Sequence, residues 1–139
     1  MINLEARADK IKITNDELIV FLVDKGVSRM GYRKPTLAEV KKEAVRYLGF
    51  LKKDGAKIRA AYLFGSFAEG KQRMDSDVDL LISLSGFKTW IEAGGYLHKK
   101  LYEFKSRYHF DVIGHSRARL DPGVPLENEV LRKGIKLNK

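Results

Sequence analysis

Asp77, Asp79 and Asp111 are the side chains of this sequence whose type and spacing promise chemistry. Val78, Leu80 and Ile82 alternate with Asp77, Asp79 and Leu81, as in a strand, where every second side chain shares a face. Asp77 and Asp79 therefore project together. Two adjacent carboxylates repel and raise each other's pKa unless a cation lies between them. A solvated strand edge would tolerate the pair, but Leu80-Leu81-Ile82 carries the strand into the interior. A divalent ion removes the difficulty, because hard carboxylate oxygens are what magnesium takes as ligands. The segment from His109 to Ile113 reads as a further strand with His109, Asp111 and Ile113 on one face. If the two strands are neighbours, Asp111 completes a three-carboxylate cluster. Such a cluster can hold two metal ions roughly 3.5–4 Å apart, clamping attacking and leaving oxygens in phosphoryl transfer. A lone acid ending a strand is the plainer reading of Asp111.

Upstream, the apolar run Ala60-Ala61-Tyr62-Leu63-Phe64 ends in Gly65-Ser66, as a buried strand would. The residues that follow, Phe67-Ala68-Glu69-Gly70, suit one helical turn, so backbone N–H groups would face whatever lies past the strand end. Glycine permits close approach of a phosphate, and Ser66 adds a hydroxyl donor. Alone, such a pair is usually a turn. Its spacing to the aspartates matters more.

These elements need a scaffold. Thr36-Leu37-Ala38-Glu39 is a capping box, followed by Leu37, Val40, Ala44, Leu48 and Leu51 at helical spacing until Gly55. Thr89-Trp90-Ile91-Glu92 is another, opening a helix expected to bury Trp90, Leu97, Leu101 and Phe104 and to expose Lys99, Lys100 and Glu103. Gly94-Gly95 within it calls for a kink or close packing, since each glycine costs a helix roughly 1 kcal/mol relative to alanine. Pro125 suits the first turn of a short final helix ending near Gly134. Earlier, the cluster Leu18 to Val23 within Asn15–Lys25 reads as a capped helix, and residues 26–35 as a basic loop. Strands alternating with helices make an α/β protein with a small mixed sheet flanked by helices. Residues 1–35 form an extension of unassigned role, and 36–139 the domain proper.

Gly65-Ser66, ten residues, then Asp77-x-Asp79 resembles the signature of the DNA polymerase β-like nucleotidyltransferase superfamily. Gly65-Ser66-Phe67-Ala68-x-Gly70 with Ser76-Asp77-Val78-Asp79-Leu80-Leu81-Ile82 is similar to its small single-domain branch, the minimal nucleotidyltransferases. The resemblance runs from about Ala60 to the carboxyl terminus. It implies that Asp77 and Asp79 are metal ligands and that Asp111 is the third carboxylate, which also favours deprotonation of the attacking hydroxyl. It implies two Mg2+ ions, ATP as substrate, and Gly65 and Ser66 as contacts to the outer phosphates. Members of the family often carry Arg where this chain has Glu69; Lys71 or Arg73 would then neutralise phosphate, or else belong to a solvated loop. The branch further implies a helical partner of the HEPN class in a toxin–antitoxin couple, with AMP transferred to a tyrosine of that partner. Two alternatives stand beside this reading. One is a non-catalytic partner-binding module with a vestigial nucleotide site; the other is nucleotidyl transfer to RNA or a small molecule.

The 139 residues are 44% hydrophobic and 32% charged, as in an ordinary single globular domain. There is no cysteine, hence no disulfide framework or thiolate metal site, and His98 and His115 lack the spacing of zinc ligands. No run approaches the roughly 18 apolar residues of a transmembrane helix, and the first seven residues mix acids and bases where a signal peptide needs an apolar run. The expected address is cytoplasmic. A net charge of +9 suits either a solvated surface or phosphate-bearing partners. It is spread evenly, +4 over residues 1–55 and +5 over 56–139, and so does not form a basic arm.

Overall fold

The computed structural model describes residues 34–138; the expected helix at Asn15–Lys25 and nearly all of the basic loop lie outside them. Helix α1 spans Leu37–Lys53, and its box closes as the sequence predicts. Glu39 N–H donates to Thr36 Oγ1 (3.2 Å) and Thr36 N–H to Glu39 Oε1 (2.9 Å). Strands β1 (Lys57–Phe64) and β2 (Val78–Ser85) follow, then helix α2 (Trp90–Phe104), strand β3 (Phe110–His115), helix α3 (Pro125–Lys133) and a two-residue strand β4 (Ile135–Lys136).

The sheet order is β3-β2-β1-β4. β1 runs antiparallel to β2 and β4, whereas β2 and β3 are parallel, joined by α2 as a parallel pair requires. One face buries Leu63, Leu80, Ile82 and Val112 beneath α1 and α2. Tyr47 of α1 is fully buried there, and its hydroxyl donates to Leu97 O at 2.8 Å. The opposite face packs Phe64 and Leu81 against Val130 of α3, with Tyr62, Ile113 and Leu120 alongside.

The glycine pair in α2 is explained by close packing. A Cβ on Gly114 of β3 would stand 2.7 Å from Gly94 Cα and 2.8 Å from the Ala93 carbonyl carbon, so helix and strand touch backbone to backbone. That contact also corrects an expectation. Trp90 is 63% exposed, not buried. Gly94 already sits on Gly114, one residue before β3 ends, so no strand remains beneath a side chain one turn earlier in the helix. Thr89 Oγ1 accepts from Glu92 N–H (3.2 Å), but the Glu92 carboxylate turns to Lys88 N (3.3 Å), leaving the second box half-closed. Lys100, expected in solvent, is instead largely covered, its ammonium paired with Asp54 (3.0 Å) and Glu103 (3.2 Å). No helix among the described residues is long and apolar enough to cross a membrane.

Candidate active site

Because β1 and β2 are antiparallel and β3 is parallel to β2, the end of β1 and the starts of β2 and β3 meet at one edge of the sheet. Phe64 pairs with Asp79, and Asp79 with Asp111, in direct register. In-register residues of adjacent strands share a face. Asp79 and Asp111 thus stand side by side on the face that α3 covers. Asp77 lies just before β2, and His109 just before β3. His109 Nδ1–H donates to Asp77 Oδ1 at 2.8 Å, which ties the two strand entries together.

Gly65 follows β1 with φ +77°, and a Cβ there would collide with the Asp79 carboxylate, its Cγ only 3.0 Å away. Glycine is needed twice over, for the left-handed backbone and for the space. Glu69 N–H then donates to Gly65 O (3.1 Å) and Lys71 N–H to Ser66 O (2.8 Å), winding the expected turn. Lys71 and Arg73 are exposed. Lys71 Nζ lies 3.6 Å from Glu69 Oε1, and Arg73 Nε lies 3.6 Å from Asp75 Oδ1.

Burial, and then the negative charges of Asp111, Asp77 and Glu129, push the Asp79 carboxyl up to about 6. Glu129, one of the acids facing Asp79, comes from α3 and was not singled out in the sequence. Helical spacing places it beside Val130, but only the fold shows which strand Val130 meets. Asp79 of β2, Asp111 of β3 and Asp77 just ahead of β2 supply hard oxygen donors, and their mutual repulsion is what a bound cation would relieve. Among the described residues no three such groups are close enough to hold a cation as they stand. The carboxylates repel one another, and Asp77 Oδ1 is turned to His109. In donor type, hard carboxylate oxygens, the cluster fits magnesium.

A stability consequence follows from Asp79. Its folded-state pKa lies above the unfolded carboxylate value near 3.9, so the folded chain holds a proton that the unfolded chain releases. Stability is therefore expected to fall as pH rises from about 4 to about 6, and then to level off. That is the reverse of a salt-bridged acid. Melting temperature across this range in chelator should show the decline, and Asp79→Asn should flatten it; an unchanged slope in the variant would refute the assignment.

A second polar cluster lies at the far end of β2 and β3. His115 Nε2–H donates to Glu127 Oε1 (3.1 Å), and Nδ1 lies 3.1 Å from Ser83 Oγ. The sequence Ser-His-Glu suggests a hydrolase, but Ser83 is 2% exposed and its hydroxyl donates to Arg117 O at 2.9 Å. No substrate reaches it. Arg117 completes the cluster with a 2.6 Å bond to Glu127, which fastens α3 across the sheet.

The family model described as polymerase beta nucleotidyltransferase matches residues 49–138, which include every element of this site. The chain belongs to this nucleotidyltransferase family. The resemblance carried by Gly65-Ser66 and Asp77-x-Asp79 is thus borne out, and with it the mixed-sheet fold and nucleotidyltransferase activity. Among curated proteins, this nucleotidyltransferase is 35% identical over 71 residues to MJ1379 of Methanocaldococcus jannaschii, named as a candidate protein adenylyltransferase. That match spans 48% of this chain and 70% of the relative. Two solved structures are similar at 20% identity and a TM-score of 0.47. One is a mutant of the MntA–HpeT toxin–antitoxin pair, covering 67% of this chain and 70% of that one; the other, a toxin–antitoxin with AMP-PNP, covers 70% and 72%.

Proposed function

We propose that this nucleotidyltransferase moves AMP from ATP to the hydroxyl of a protein tyrosine, carried by a HEPN-class helical partner for which it acts as antitoxin. The observation that carries the reaction is the direct register of Asp79 with Asp111 beside the Gly65 corner. The relative named for protein adenylyl transfer supports a protein acceptor.

Asp77, Asp79 and Asp111 would hold magnesium, whose charge neutralises the triphosphate and the departing pyrophosphate. The Gly65 and Ser66 backbone N–H groups and the Ser66 hydroxyl bind outer phosphate oxygens, in the turn that follows the end of β1. Asp111, at the rim of the site and exposed, favours loss of the acceptor's proton. The acceptor oxygen forms its bond to the α-phosphorus as the bond to pyrophosphate breaks, in line. Catalysis is then mostly positioning and charge neutralisation.

Coexpression with the product of the adjacent reading frame, followed by intact-mass measurement, tests the acceptor. An AMP-sized increment on a partner tyrosine is expected; an unmodified partner in the presence of ATP and Mg2+ would refute it.

A further inference from the structure

We infer that Lys133 and Lys71, gathered by Glu69, form the cationic seat for the outer phosphates of the nucleotide at the Gly65–Ser66 corner. This rests on the nucleotidyl-transfer reading above and assigns a role to a side chain of α3.

Two lysines from separate elements converge on one carboxylate oxygen. Glu69 Oε1 lies 3.5 Å from Lys133 Nζ and 3.6 Å from Lys71 Nζ. Their position is set by the fold. The backbone bonds from Glu69 N–H to Gly65 O and from Lys71 N–H to Ser66 O keep both residues next to the corner. Val130 packs on Phe64, the residue before Gly65, and Lys133 lies almost one turn further along the same helix face.

Drawing two ammonium groups together costs repulsion that the loose contacts of an exposed cluster do not recover in stability. Surface ion pairs of this kind contribute about 0–1 kcal/mol. The arrangement makes sense if a stronger anion takes over. Two lysines against one glutamate leave a net single positive charge beside the phosphate-binding turn. Each ammonium has three N–H donors, so contact with Glu69 leaves donors for phosphate oxygens, and the flexible lysine stems can follow them. Glu69, whose side chain is only 25% exposed, keeps the two cations in place until the nucleotide arrives. Arg73 is engaged differently, with Asp75 of its own loop.

The test is titration of the full chain with AMP-PNP and, separately, with AMP, in Mg2+. Lys133→Ala should weaken AMP-PNP about tenfold, and Lys133→Ala with Lys71→Ala by up to about a hundredfold, as expected for loss of one and two charged contacts. AMP, which lacks the outer phosphates, should bind each variant as it binds the parent. Glu69→Arg in the Lys133→Ala background should restore AMP-PNP affinity by placing a cation directly on the turn. Equal AMP-PNP binding by parent and Lys133→Ala would overturn this inference alone, as would parallel loss of AMP and AMP-PNP, which marks a merely structural role. Failure of the parent chain to bind AMP-PNP would overturn the nucleotidyl-transfer reading with it.

Discussion

Replacing Asp79 with asparagine is expected to lower AMP transfer by a factor on the order of 10³ or more while the chain remains folded. Asn keeps the shape and one oxygen but removes the charge that a divalent ion requires. Asp79 is central because its neighbours converge on it: Asp111 is opposite in register, Phe64 pairs with it from the other side, and the Gly65 backbone closes against its carboxylate. The same substitution removes the buried charge and the like-charge repulsion that together raise its pKa. A melting temperature at pH 7 equal to or above that of the parent is therefore expected, alongside the lost activity. Transfer of labelled AMP and a thermal melt on the same preparation check both. Retained transfer would remove Asp79 from the mechanism, and a collapsed melt would show that the carboxylate is structural.

The largest stability effect is expected at Gly114. An alanine Cβ there meets backbone atoms of Ala93 and Gly94, and neither can swing aside as a side chain would. Helix α2 must lift off β3, separating the packing that buries Ala93 and Leu97. A loss of about 3 kcal/mol or more follows, at the upper end for overpacking. Gly95 is the control. Nothing lies within 4 Å of a Cβ at that position, so Gly95→Ala should be neutral or stabilise the helix by up to about 1 kcal/mol. Urea midpoints of the two variants against the parent decide the matter; similar midpoints for both would mean that the helix–strand contact is not tight.

The face of Asp79 was legible in the sequence because strand alternation is local, whereas Asp77, expected beside it in the strand, lies just before β2 and turns its carboxylate to His109. The parity of Asp111 was equally local, but its neighbour was conditional until the sheet order placed β3 beside β2. The capping box at Thr36 closed because both of its bonds fall within four residues. At Thr89 the same pattern half-failed, since Lys88 offers a competing N–H. Trp90 misled because the spacing of apolar residues says which side of a helix faces inward, not where the supporting sheet stops. Glu129, Lys133 and strand β4 were missed for a related reason. Each acquires its meaning from β1, some seventy residues earlier by the pairing of Leu63 with Ile135 and the contact of Val130 with Phe64. No window of local sequence contains that information.

The in-register pairing of Asp79 with Asp111 makes the enzyme sensitive to insertions in a position-dependent way. An extra residue in the loop from Gly70 to Asp75 lengthens a connection outside the strands that carry Asp79 and Asp111. One extra residue inside β2 just after Asp79, or inside β3 just after Asp111, would rotate that carboxylate through the sheet into the hydrocarbon layer under α1 and α2. Divergence in this protein has latitude in its connections and almost none along two short strands.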